Sequence, residues 1–136
     1  MADLDVLKDV VRASSELSKK GQHGGALRLI DDATASARRE NRPRWVKILN
    51  QHAAAISRSA GDLALVRHYC EQVVNCDPKD PLARYALADV LHRQGEIELA
   101  KQQAVESYKL IRHSKSEQDR GLVELILKNW PDIASW

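Results

Sequence analysis

The residues best suited to catalysis or metal binding are dispersed along this sequence. None of the histidines pairs with Cys, Asp or Glu at a metal-ligand spacing; they are His23, His52, His68, His92 and His113. His68 and Cys70 lie two residues apart on a predicted helix, so their side chains point about 200° from one another. Asp31 and Asp32 diverge on a helix and cannot face one substrate together as an acid–base pair. We therefore predict no metal site, no cofactor and no enzymatic activity.

A cluster of positive charge surrounds Trp45. We call it the basic junction, and it consists of Arg38, Arg39, Arg42, Arg44 and Lys47. The first three fall near the end of a predicted helix, where cations interact favourably with the helix dipole. Arg44 and Lys47 fall in the first turn of the next helix, where the dipole opposes them, which favours an anionic partner such as an acidic protein face or phosphate. A solvated surface is nevertheless the preferred interpretation, and the net charge of +2 is too small to indicate a nucleic-acid partner.

The composition fits one soluble domain covering residues 1–136, with 43% apolar and 29% charged residues. Cys70 and Cys76 lie six apart on one predicted helix and point to different faces, so we predict two free thiols. The first residues are acidic where a signal peptide would be basic, and no long apolar segment follows. These features predict a cytoplasmic protein with no membrane partner.

Apolar residues recur at helical spacing along the whole chain, which predicts an all-α protein of about seven helices. Three hairpins are predicted at about 3–41, 43–77 and 80–112, followed by a terminal helix at about 117–129. Leu63 and Ile97 are predicted to begin the apolar stripes of the fourth and sixth helices. For the terminal helix, Ser116 with Asp119 three residues later resembles a capping box.

Turn glycines recur with a period typical of stacked helical repeats, since Gly61 and Gly95 lie 34 residues apart. Small residues that allow helices to approach closely accompany them in each hairpin: Ala26 and Ala33, Ala53 and Ala54, Ala88 and Ala100. With these residues the chain resembles the tetratricopeptide-repeat family. The interval from Gly21 to Gly61 is 40 residues, which predicts longer helices that meet at residues 41–43. The family's large aromatic residue early in each first helix is missing.

This resemblance implies a right-handed superhelical array of three hairpins, closed by a C-terminal capping helix. It also implies a concave groove, lined by the first helix of each hairpin, that binds a peptide or helix of a partner protein. The predicted groove residues are Lys8, Arg12, Ile48, Gln51, Arg58, Leu82, Tyr85, Asp89 and His92. Tyr85 and Arg58 are the preferred anchors, because Tyr and Arg dominate interface energetics. The carboxylate clamp of repeat proteins that bind chaperone tails cannot be assembled here, since Val11, Ser15, His52, Leu82 and Ala86 occupy the corresponding sites.

The terminal helix carries apolar residues around most of its circumference. One face is expected to close the end of the array, because an open terminal hairpin would leave its core in water. The remainder could serve self-association through Leu122, Leu125 and Trp130, which makes a homodimer module the first alternative function. A small secretion-type chaperone is a second alternative by resemblance, and polyanion binding at the basic junction is a third.

Overall fold

Seven α-helices and no strand make up the part of the chain that the structure describes. This structure is a computed structural model that describes the backbone of residues 2–135 and the side chains of residues 5–134. Its elements are α1 (Ala2–Lys19), α2 (His23–Arg39), α3 (Pro43–Ser59), α4 (Leu63–Cys76), α5 (Pro81–Arg93), α6 (Ile97–Ile111), α7 (Glu117–Asn129) and a 3-10 helix at Pro131–Ser135. The predicted all-α class, with three hairpins and a terminal helix, is confirmed. The start of the first predicted hairpin, at Asp3, concerns a side chain outside the described residues.

The helices form two compact units, residues 1–76 with α1–α4 and residues 77–136 with α5–α7. In the first unit each helix packs against the next, and α1 also contacts α3. In the second unit α5 packs against α6, α6 against α7, and α7 against the 3-10 helix. The assignment of residues 1–136 to one domain stays a prediction.

Four of the connections between helices use the same turn. Gly21, Gly61 and Gly95 have φ values of 79°, 74° and 82°, and Asn41 takes this left-handed conformation with φ 56°. The residue after each turn donates its N–H back to the helix, as from Arg42 to the carbonyl of Ala37 at 2.9 Å. Asn41 therefore occupies the position that glycine has in the other three turns. The predicted junction of longer helices at residues 41–43 is confirmed. The helices α1 and α3 have 18 and 17 residues, whereas α5 has 13.

Small side chains fill the helix contacts, as the sequence predicts. Ala26, Ala53, Ala88, Ala100 and Ala104 are all 0% exposed. At these positions only a methyl group separates the neighbouring helices, which allows their axes to approach to about 8–10 Å.

The predicted apolar stripes are wrong at two helix starts. Leu63 is 39% exposed and Ile97 is 50% exposed. Each is the first residue of its helix, where the chain has just left the turn and the partner helix does not yet cover it. Burial begins one helical turn later, at Val66 and Ala100.

The terminal helix closes the second unit. Its N-terminus is capped by Ser116, whose hydroxyl accepts the N–H of Asp119 at 3.3 Å, as predicted. Val123 and Ile126 are buried on the face that the helix turns to its own unit. No helix between residues 2 and 135 has the length and apolar character needed to cross a membrane.

Candidate protein-binding surfaces

His52 joins α1 to α3 in the first unit. Its Nε2 atom lies 3.1 Å from the hydroxyl oxygen of Ser14 and 3.2 Å from that of Ser15. The Ser14 oxygen also lies 2.7 Å from the carbonyl of Val10, to which its hydroxyl donates. These contacts hold the two helices side by side.

The stability of the α1–α3 contact is expected to fall as the pH drops. Burial lowers the pKa of His52 below 6.5, an effect that a hydrogen bond with the Val11 backbone partly opposes. Below pH 6.5 the unfolded chain therefore takes up a proton that the folded chain resists, and the free energy of unfolding decreases until the folded pKa is reached. Urea unfolding at pH 7.5 and pH 5.5 should show a smaller loss for His52→Gln than for the wild type.

His113→Gln serves as the matched control, because His113 is also a histidine but is exposed beyond the end of α6. This variant should keep the pH dependence of the wild type. An unchanged pH dependence in His52→Gln would contradict the assignment.

The predicted groove residues of the first unit mostly lie on an open surface. Ile48 is 42% exposed on α3, and Gln51 is exposed one turn further along the same helix. Lys8 and Arg12 are exposed on α1, where Arg12 pairs with Asp9 at 2.8 Å. We call Lys8, Arg12, Ile48 and Gln51 the α1–α3 face. It combines an apolar side chain, a carboxamide and two cations.

Arg58 has a different environment from the one expected of a groove anchor. Its guanidinium donates to Sγ of Cys70 in α4 at 3.6 Å. The side chain is exposed, but it leans across its own hairpin. The structure therefore does not group Arg58 with the α1–α3 face.

Trp130 packs against part of the predicted groove surface of α5 in the second unit. The indole meets the ring of Tyr85 edge-on with centroids 6.5 Å apart, and that of His92 at 5.8 Å. Burial raises the pKa of Tyr85 and the charge of Asp89 adds to the rise, while a hydrogen bond with the Asn129 side chain opposes it. Tyr85 is thus half-buried against the protein's own C-terminal segment. Two of the predicted α5 residues stay exposed, namely His92 and, at 55%, Leu82.

Two of the three residues predicted for self-association are buried within their own unit. Leu122 and Trp130 are each 7% exposed, whereas Leu125 is 46% exposed. Behind Trp130 the 3-10 helix places Ile133 at 0% exposure, and Lys101 pairs with Asp132. Capping of the unit accounts for these contacts. Of the three predicted self-association residues only Leu125 is exposed, and self-association itself stays a prediction.

The basic junction borders a cavity of about 310 Å³ in the first unit. Its lining is formed by Arg38, Asn41, Arg42, Pro43, Val46, Gln72, Asn75 and Cys76. Of the five predicted cations, only Arg38 and Arg42 line this cavity. Arg39 instead donates a hydrogen bond to the Ser36 hydroxyl at 3.1 Å. Arg44 and Lys47 are outside the lining. The residues of α4 in this lining were not predicted. They lie about thirty positions further along the sequence, and no periodic signal connects them with the junction.

The residues considered at first for chemistry make ordinary structural contacts. Asp31 accepts hydrogen bonds from the Tyr69 hydroxyl at 3.0 and 3.2 Å. Burial, followed by this carboxylate, raises the pKa of Tyr69 to about 12. No disulfide joins Cys70 to Cys76. Among residues 5–134, whose side chains the structure describes, no three His, Cys, Asp or Glu side chains are grouped as metal ligands would be.

Comparison with protein families finds a tetratricopeptide repeat at residues 69–102, which covers the second half of α4, α5 and the first part of α6. Among characterised proteins, the chain is 33% identical over 102 residues to cellulose synthase operon protein C of Pseudomonas fluorescens (strain SBW25). The match takes in 73% of this chain but only 8% of that much longer protein.

Solved structures share the fold over nearly the whole chain. The type III secretion translocator chaperone SycD of Yersinia enterocolitica matches with a TM-score of 0.67 at 15% identity, covering 91% of this chain and 87% of SycD. SycD in complex with a peptide of the translocator YopD matches with a TM-score of 0.63 at 16% identity, with coverages of 92% and 95%. The C-terminal TPR-containing domain of a putative FK506-binding protein of Plasmodium falciparum gives 0.63 at 16% identity, with coverages of 96% and 91%. The chain therefore contains a tetratricopeptide repeat at residues 69–102 and shares the helical-hairpin fold of these solved structures.

Proposed function

We propose that this protein is a non-enzymatic scaffold that binds a peptide or helix of a partner protein at the α1–α3 face. One observation carries the choice of surface: Ile48 and Gln51 lie open on α3, while Tyr85, on the corresponding surface of α5, is half-buried against the ring of Trp130. The repeat fold supports a binding role, and the chaperone SycD, which shares this fold, has been solved with a peptide of another protein.

The chemistry of the α1–α3 face suits an amphipathic segment. Ile48 offers an apolar contact of the kind that helix-in-groove and extended-peptide recognition both use. Gln51 can donate to and accept from a peptide backbone. Lys8 and Arg12 add positive charge at the edge, so a segment with an apolar residue and flanking carboxylates would fit best.

The proposal is tested by comparing two substitutions of exposed apolar residues. Proteins captured from native lysate by the wild type are first identified, and their binding to Ile48→Asp and Leu125→Asp is then measured with purified components. Ile48→Asp should weaken binding by about tenfold or more, because it places a charge where an apolar contact forms. Leu125→Asp, on the exposed side of α7, should bind as the wild type does.

The opposite result would overturn the choice of surface. If Leu125→Asp lost partner binding while Ile48→Asp bound the partner as the wild type does, the partner-binding surface would lie on α7. Sedimentation of both variants then separates partner binding from self-association. A dimer that only Leu125→Asp dissociates would favour the homodimer function instead.

A further inference from the structure

A second cavity in the first unit lies between the first part of α1, the second half of α2 and the first part of α3, and it shares no residue with the α1–α3 face. Its volume is about 360 Å³, which is in the range of small-molecule sites. Most of its lining is apolar, and its few polar residues lie along α2. We propose that this cavity binds a small amphipathic amine, that is, a protonated amine attached to an aromatic or branched alkyl group.

The cavity lies where the helices of the first unit exceed the repeat period. Ala37, Glu40 and Trp45 line it beside the α2–α3 turn. The interval from Gly21 to Gly61 is 40 residues, against 34 from Gly61 to Gly95. In the second unit the first helix of the hairpin, α5, has 13 residues, whereas α3 has 17. The cavity therefore depends on the extra helical turns of the first unit.

Apolar side chains of α1 and α3 provide a surface for the apolar part of the ligand. Leu7 and Leu49 are buried at the base of the cavity, and Val6 is exposed at its opening. Trp45 is half-buried in the wall, and the guanidinium carbon of Arg42 lies 4.5 Å from the centre of its ring, a contact that restrains the indole. An aromatic or branched alkyl group would remove this apolar surface from water without a rearrangement of the walls.

The polar edge of the cavity is acidic. Asp32 and Glu40 are the charged residues of the described lining, and they lie about 12 Å apart along α2, with Ser36 midway. The Glu40 carboxylate already accepts from Nε of Arg42 at 3.2 Å. Asp32 is exposed, and among residues 5–134 no side chain forms a hydrogen bond or an ion pair with it. A protonated amine would complement this carboxylate, whereas an anion would be repelled by it.

The direct test is a titration of the ¹⁵N-labelled full chain with 2-phenylethylamine at neutral pH, where its amine is protonated. At millimolar concentration it should shift the indole N–H signal of Trp45, while that of Trp130 in the second unit stays in place. Methylamine lacks the apolar group and 3-phenylpropanoate carries a carboxylate instead of the amine, so each should bind about tenfold more weakly or less. Nα-acetyl-lysine amide represents a lysine of a partner protein and should also bind more weakly, because its unbranched chain covers less of the apolar walls.

Matched aspartate variants separate the cavity from the general negative field. Asp32→Asn should weaken binding of 2-phenylethylamine by about fivefold, whereas Asp31→Asn should leave it unchanged. Both carboxylates are exposed on α2, but Asp31 lies outside the lining and accepts from the Tyr69 hydroxyl at 3.0 Å. Equal losses in the two variants, equal binding of methylamine or 3-phenylpropanoate, tighter binding of the lysine amide, or no shift of the Trp45 signal would each overturn the proposal.

Discussion

Replacement of Leu87 by alanine is expected to lower the free energy of unfolding by about 2–5 kcal/mol. Leu87 is 5% exposed on α5 and lies beside Ala88, which is 0% exposed. Truncation removes apolar surface from the core of the second unit and leaves a cavity that the neighbouring alanines cannot fill. Urea denaturation followed by circular dichroism at 222 nm measures the change.

The control is Leu82→Ala on the same helix. It removes the same atoms from a side chain that is 55% exposed, so the change should stay within about 0.5 kcal/mol. If the two variants were equally stable, the face of α5 assigned to the core would be the wrong one. The control also has a functional use, because Leu82 is an exposed member of the predicted α5 binding residues.

Local signals in the sequence were sufficient for most of the fold. Helix periodicity, turn glycines and caps depend on residues close together in the sequence. Their positions can therefore be predicted from the sequence alone. Gly61 and Gly95 adopt the left-handed conformation that their type permits. Even Asn41 was predictable as the junction of two helices, because asparagine is among the few other residues that adopt this conformation at small cost.

The limits of periodicity appear where helices begin. A count of apolar residues at helical spacing assigns Leu63 and Ile97 to the core, because it treats each helix as covered along its whole length. Coverage depends on the partner helix, and both residues emerge from a turn before the partner reaches them. Only three-dimensional packing contains that information.

The sequence predicted which residues share a helix surface, but not whether another part of the chain packs on that surface. The sequence placed Tyr85 and His92 on one side of α5, and in the structure both rings contact the indole of Trp130. The sequence could not show that Trp130 is the residue that packs on Tyr85. The two residues are 45 positions apart, and the indole could have packed on any other apolar surface. The contact between His52 and Ser14 has the same origin, because it spans 38 positions and no local pattern links the two residues.

The packing of Trp130 on α5 affects which unit a partner can contact first. A surface that is filled by the chain's own indole is open to another protein only when that indole leaves, whereas the α1–α3 face needs no such step. We therefore expect the first unit to make the initial contact with a partner. A partner that also contacts Tyr85 must first displace Trp130, and the free energy required is the packing energy of that indole.

Replacement of Trp130 by alanine is expected to cost the second unit about 3–5 kcal/mol of stability. The indole is 7% exposed and meets two aromatic rings, and both its burial and these edge-on contacts disappear with it. Urea unfolding gives the free energy, and NMR of the ring protons of Tyr85 and His92 reports the local change. Loss of the neighbouring indole should move both sets of signals.

Trp130→Phe keeps an aromatic ring in place and should cost clearly less than the alanine variant, with smaller shifts at Tyr85. Wild-type stability in Trp130→Ala, with unmoved signals from Tyr85 and His92, would show that the indole does not rest on α5 in solution. In that event Tyr85 would return as a binding residue, because nothing in its own unit would then separate it from a partner. If the expected losses are found, the α1–α3 face remains the surface that is ready for a partner in the folded protein.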